Sequence, residues 1–233
     1  MYRVVKHSIH LQVYTLKALL LALALTLSLS VTAQDSDLGN WFIYIGSKDL
    51  GNGFNLHHEA QYRNYNFIGD LEQLLLRTGV GYDLSENNNN VLLGYAYILS
   101  ENYITADEKN SIGEHRIFQQ FITKQSFGRF AWQHRYRSEQ RWVEDQDFKT
   151  RYRYFLSVNA ALNTPRLEDG SVYLSAYNEI FINGEGQLYD RNRIYGGVGY
   201  RLNKNVRFEL GYMAQLLQGF SRDQANIFVL ASF

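Results

Sequence analysis

The sequence predicts an all-β fold, a transmembrane antiparallel up-and-down β-barrel of about 10–12 strands. Three observations carry that expectation. From Asn40 onward, apolar and polar residues alternate with a period of two. The 233 residues hold a single proline, Pro165, against 18 tyrosines, a composition that suits long strands. The chain also opens on a leader for export.

The leader comes first. Arg3, Lys6 and Lys17 precede the apolar run ALLLALALTLSLSV from Ala18 to Val31, and the small residues Thr32 and Ala33 follow. This reads as a secretory signal peptide over residues 1–33, cut after Ala33 to leave Gln34 as the new N-terminus. The apolar core is shorter than the ~20 residues a spanning helix needs, and the polar QDSD follows at once, which argues against a membrane anchor. Residues 34–233 then form one barrel domain. Without the leader, Lys+Arg falls from 23 to 20 against 23 Asp+Glu, so the exported chain is slightly acidic and nucleic acid is excluded as a partner. Cysteine is absent, which removes disulfides and thiolate metal sites.

The strands follow in order. In NVRFELGYMAQLL, Val206, Phe208, Leu210, Tyr212, Ala214 and Leu216 share one face, with Arg207, Glu209, Gly211, Met213 and Gln215 on the other. KTRYRYFLSVNAAL splits in the same way, and so do FNLHHEAQYRNY, LLLRTGVGYDL, EHRIFQQFIT, VYLSAYNEIFI and NRIYGGVGYRL. These segments run to roughly 10–14 residues, whereas soluble strands usually have about 5–6. A secreted soluble β-sandwich would use shorter strands. The segment NIFVLASF stops in a strand at Phe233, an expected assembly signal for barrel-assembly machinery. Turn-forming segments separate the strands. Counting back from a periplasmic Phe233 puts QGFSRD, NGEGQ, VEDQD, ADEKNS and FIGD on the outer side, and LNKN, NTPRLEDG, QSFGR and SENNNN in the periplasm. Ten strands emerge from Gly53 to Phe233. WFIYIGS is an eleventh candidate, in conflict with termini that share the periplasmic side.

The segments GNWFIY, HHEAQYRNYN, LEQLLLRTGVGYDL, LLGYAYI, EHRIFQQ, HRYRSEQRW, RYRYFL, YNEIF, DRNRIYGGVGY and FELGYMAQ, in this order over about Asn40 to Phe233, resemble the outer-membrane β-barrel family catalogued as domain of unknown function 2490. The resemblance implies an outer-membrane barrel. It brings no activity and no catalytic residues.

The alternation assigns a charged inner face. HRYRSEQRW sets Arg135, Arg137, Glu139 and Arg141 on every second residue. Arg151 and Arg153 share that phase, as do Glu114 and Arg116, Glu59 and Arg63, Arg77, Glu179, Arg191 and Arg193, and Arg207 and Glu209. In a narrow barrel these side chains fill the interior as an ion-pair network that fixes register, because an isolated buried guanidinium is costly. The competing reading is a narrow anion-favouring passage, or a site for a small anionic solute. On the opposite face Trp132, Tyr136, Trp142, Tyr152, Tyr154, Tyr200 and Tyr212 are expected to meet outer-membrane lipid as aromatic girdles. Gly94, Gly197, Gly199 and Gly211 relieve curvature or make room for a neighbouring ring.

No residues are assigned as catalytic, and no cofactor or metal is expected. A lipid-active acyl hydrolase or transferase would need a Ser beside a His. Glu114–His115 and His134–Ser138 are the best pairs available, but i and i+4 lie about 13 Å apart along a strand. His57 and His58 point to opposite faces and do not chelate one ion. The acidic loop residues are read as solvated charge.

Overall fold

A computed structural model describes residues 38–85 and 88–233; the leader expected at 1–33, with its cleavage after Ala33, lies outside the described residues. Every regular element in the described residues is a strand: β1 (Gly39–Gly51), β2 (Phe54–Asn64), β3 (Leu71–Ser85), β4 (Asn89–Tyr103), β5 (Lys109–Phe127), β6 (Phe130–Val143), β7 (Lys149–Ala161), β8 (Val172–Asn183), β9 (Tyr189–Arg201), β10 (Val206–Leu216) and β11 (Ser221–Ser232). Consecutive strands pair antiparallel, and β1 closes on β11 to complete a barrel.

WFIYIGS is therefore part of a full strand. Eleven alternating strands leave the first and last running in the same direction, so the closing pair is parallel, in register from Gly39↔Gln224 to Ser47↔Ser232. The shared end expected for the two termini gives way to this geometry: Gly39 and Phe233 lie at opposite ends. The Phe233 end also holds the β1–β2 turn, where the Phe233 amide donates to the Ser47 carbonyl at 2.9 Å and the Asp49 amide donates to the Phe233 carbonyl at 2.7 Å. That turn is tight, and it demands its sequence. Gly51, Asn52 and Gly53 have φ of 82°, 54° and 81°, the left-handed region that glycine and asparagine enter most readily.

The two faces separate by residue type. On β6, Arg137 and Glu139 are buried and Arg135 and Arg141 half-buried, while Trp132, Tyr136 and Trp142 are exposed on the other side. On β10, Glu209, Met213 and Gln215 are buried inside, with Phe208, Leu210 and Tyr212 exposed outside. The interior also holds apolar clusters. Trp41, Ile43, Tyr195, Met213 and Phe228 form one, and Leu75, Leu92, Ala96, Ile98 and Phe118 another. Strands β1 and β4 supply apolar residues to both faces, with Trp41, Ile43, Leu92 and Ile98 buried inside and Phe42, Val91 and Leu93 exposed outside.

Two inward glycines explain how rings fit such a narrow space. A Cβ at Gly199 would lie 2.2 Å from the Tyr173 ring, and one at Gly94 would lie 2.3 Å from the Phe118 ring. Each ring occupies the place of the missing side chain and lies flat on the neighbouring backbone.

Candidate functional site

The interior holds an ion-pair network that is continuous over the inward residues of β5 to β9, with a smaller group on β2 and β3. At its centre is Glu139, 1% exposed. It accepts hydrogen bonds from Arg151 at 2.9 and 2.6 Å and from Arg153 at 2.6 Å, and Arg116 and Arg137 lie 3.8 Å away. Glu179 accepts from Arg153 at 3.0 and 2.7 Å and from Arg135 at 2.7 Å. Glu114 accepts a two-pronged pair from Arg116, both at 2.6 Å, and a second from Arg141 at 2.6 and 3.2 Å. Glu59 accepts from Arg77 at 2.5 Å and from Gln61, and His57 lies 3.3 Å away. Asp190 joins Arg151 and Arg191 at 3.1 and 3.0 Å.

Register alone would make parts of this arrangement repulsive. Arg137 sits opposite Arg153, and Arg116 opposite Arg141, and like charges directly across a sheet destabilise it. The carboxylates one step away answer the repulsion. Glu139 binds Arg153 and lies beside Arg137, and Glu114 binds both Arg116 and Arg141. The planar guanidinium fork suits this sharing because it presents several donors at fixed angles.

Aromatic rings complete the packing. Arg63 stacks on Trp41 at 3.8 Å, Arg153 on Phe181 at 4.5 Å, Arg137 on Phe118 at 4.6 Å and Arg135 on Phe155 at 4.4 Å. A desolvated cation over a ring gains about 2 kcal/mol. Glutamines take part as well. Arg63 donates to Gln61 at 2.9 and 2.5 Å and to Gln73 at 2.6 Å, Arg137 to Gln120 at 2.9 and 2.5 Å, and Arg193 to Gln215 at 2.8 Å.

Some residues of the charged phase stand apart. Glu209 is buried but accepts from the Tyr173 hydroxyl at 2.9 Å rather than from an arginine. Arg207 makes no ion pair among the described residues. Phe233 lies outside the network at the seam. The residues that sequence reasoning missed are Trp41, Phe118, Phe181, Asp190, Gln61, Gln73 and Gln120; the alternation places Gln215 on the inner face but gives it no role. Gln61, Gln120 and Gln215 share the inward phase of Glu59, Arg116 and Glu209, and that phase was the available signal.

The histidines divide by face. His57 joins Glu59 inside, whereas His58 stacks on Tyr44. On the outer wall, the nitrogen Nδ1 of His115 pairs with the Tyr95 hydroxyl at 2.5 Å and Nδ1 of His134 with the Tyr154 hydroxyl at 2.9 Å. Among the described residues no group of three or more His, Asp or Glu side chains is arranged to hold a metal ion.

Fold and interior together define a closed, mostly antiparallel β-barrel packed with arginine and glutamate. The model of the family described as protein of unknown function, DUF2490, matches residues 38–226, and the chain belongs to that family. No curated protein and no solved structure matches it.

Proposed function

We propose that this protein is an outer-membrane β-barrel whose interior is closed by side chains, a structural or binding barrel rather than an open pore and not an enzyme. The observation that carries the reading is the inversion of polarity. Leu76, Val80, Leu93, Ile194, Val198 and Leu210 are exposed on the outer wall while Glu139, Glu179 and Arg137 are buried within. In water that arrangement would leave a large apolar surface uncovered. In a bilayer it places apolar side chains against lipid and charges in an enclosed space. Strands of 11 to 19 residues exceed the ~9–11 that a tilted strand needs to cross. Trp132, Trp142, Tyr152, Tyr200 and Tyr212 on the same wall suit the two interfaces.

On this reading the leader delivers the chain to the envelope, lipid surrounds the wall and barrel-assembly machinery inserts it. Fractionation should recover the protein with outer membranes, and unheated samples should migrate faster on gels than boiled ones. Purified protein in planar bilayers should give no stable open-pore current. Recovery as a soluble periplasmic monomer would overturn the location, and large steady current steps would overturn the closed interior. A narrow anion passage is the second reading, favoured by the excess of arginine over carboxylate inside. Small anion-selective currents would support it. A lipid-active enzyme is the third, and its best histidines have tyrosine hydroxyl partners rather than serine; lipid turnover lost in His115→Ala or His134→Ala would favour it.

A further inference from the structure

The network is unbalanced in a way that points to a ligand. The arginines at 63, 77, 116, 135, 137, 141, 151, 153, 191 and 193 are ten cations, and Glu59, Glu114, Glu139, Glu179 and Asp190 are the five carboxylates they can reach. The surplus gathers at one place. A cavity of about 200 Å³ lies at the barrel mouth opposite Phe233, lined by eight arginines and one carboxylate, Glu114.

Three guanidiniums of this cavity, those of Arg63, Arg77 and Arg193, differ in what holds them from the other five, which are bound to Glu114, Glu139, Glu179 or Asp190. Arg63 is 8% exposed and has no carboxylate within ion-pair distance among the described residues; the amide oxygens of Gln61 and Gln73 hold it instead. Arg193, 7% exposed, is held by Gln215, with its nearest carboxylate, Glu179, 3.9 Å away. Arg77 is bound to Glu59 through one terminal nitrogen, and its buried Nε has no hydrogen-bond partner. Arg63 and Arg193 also share one indole, at 3.8 and 4.8 Å from the Trp41 ring centre. Two buried cations are thus brought around a single ring without an anion between them. Glutamine fixes a guanidinium's position without neutralising it, so the charge stays available to a third party. Leaving such charge uncompensated in an enclosed space is costly, and an anion at the mouth would remove that penalty.

We propose that this mouth is a binding site for a small oxyanion with two or more negative charges, held by Arg63, Arg77 and Arg193 within the cavity and by Arg191 at the rim. The guanidinium fork pairs with phosphate and carboxylate oxygens two at a time, and three guanidiniums lining one cavity favour a multiply charged ligand over chloride. The site rests on the interior geometry and stands whether or not the barrel is a porin-like membrane protein.

The test uses the full-length mature chain purified in detergent, titrated with inorganic pyrophosphate and, separately, with citrate, at ionic strength held constant with sodium chloride. Isothermal titration reads stoichiometry, tryptophan fluorescence in a Trp132→Phe, Trp142→Phe background reads Trp41, and thermal melting reads stabilisation. Saturable binding of one ligand per chain is expected, with a raised melting temperature. Tighter binding of pyrophosphate would identify a phosphate site, and tighter binding of citrate a carboxylate site. Arg63→Gln and Arg193→Gln should each weaken binding about tenfold or more, the loss of a charge-assisted pair, whereas Arg166→Gln in an exposed loop should not change it. If either buried variant fails to fold, Arg191→Gln, at a rim position with 27% side-chain exposure, should weaken binding several-fold, and Arg63→Lys separates charge from fork geometry. A response no greater than that to sodium chloride, or affinity unchanged in Arg63→Gln, Arg193→Gln and Arg191→Gln, would overturn the proposal. Such a result would leave the membrane reading standing, since fractionation tests that independently.

Discussion

Arg153 and Glu139 meet across the β6–β7 pair at 2.6 Å, both almost wholly buried, and Arg153 reaches Glu179 on β8 with its other nitrogens. One guanidinium therefore ties three strands together. Replacing either carboxylate by an amide leaves a buried cation short of its counter-charge, which costs ~3–5 kcal/mol. Glu139→Gln and Glu179→Gln should markedly lower the unfolding temperature in detergent. Asp145 is exposed in the 144–148 loop with φ of 57°, a conformation asparagine also accepts, so Asp145→Asn should change stability by less than ~1 kcal/mol. Equal melting of all three variants would mean that the arginine face lines open water.

Gly199 and Tyr173 make a second, purely steric relationship. Tyr173 is fully buried, its ring fills the space where a Gly199 side chain would be, and its hydroxyl holds Glu209 at 2.9 Å. Gly199→Ala should push the ring aside and destabilise the barrel by about 1–3 kcal/mol, the usual range for overpacking. Gly196 faces open space, with nothing within 4 Å of an added Cβ, so Gly196→Ala should be close to neutral. Paired denaturation curves of the two variants check this, and equal stability would refute it.

These contacts show where sequence reading has its limit. In HRYRSEQRW every second side chain is charged, and in VRFELGYMAQL one phase is apolar throughout while the other carries Arg207, Glu209 and Gln215, so inner and outer sets can be sorted without coordinates. WFIYIGS offers no such contrast: Trp41 and Ile43 turn inward and Phe42 and Tyr44 outward, all apolar, so neither the strand's phase nor the ring under Arg63 could be read. LLGYAYI on β4 is ambiguous for the same reason. Partnership is harder still. That Glu139 takes Arg151 and Arg153, while Glu209 takes Tyr173, depends on register and on which rings fill the axis, and both emerge only when eleven strands close. The parallel seam follows from an odd strand count, which local pattern leaves undetermined.

The 184–188 loop carries a pH-dependent tether. Glu185 accepts hydrogen bonds from the Thr150 amide and hydroxyl, both at 2.7 Å, and these hold its carboxyl below the usual carboxylate range. Because the folded value is depressed, the tether contributes at neutral pH and is lost as pH falls through the folded value. Hydrogen exchange at the Thr150 amide should accelerate on acidification, relative to the intrinsic rate, and Glu185→Ala should abolish that dependence. A flat protection profile across the carboxylate range would rule the tether out.

The seam sets the last prediction. Phe233 contributes through its backbone, donating to Ser47 and accepting from Asp49, while its side chain is 59% exposed. Deleting the residue removes both bonds at the end of the parallel β1–β11 pair, whereas Phe233→Ala keeps the amide and the carbonyl. If Phe233 serves closure by its backbone, the alanine variant should refold in detergent as well as the parent, and the deletion should refold poorly and lose its heat-dependent gel shift. If the barrel is inserted in the outer membrane as proposed and the Phe233 side chain is also read during insertion, Phe233→Ala should accumulate less in that membrane while refolding normally after purification. Deletion without effect on either measurement would remove Phe233 from both closure and assembly.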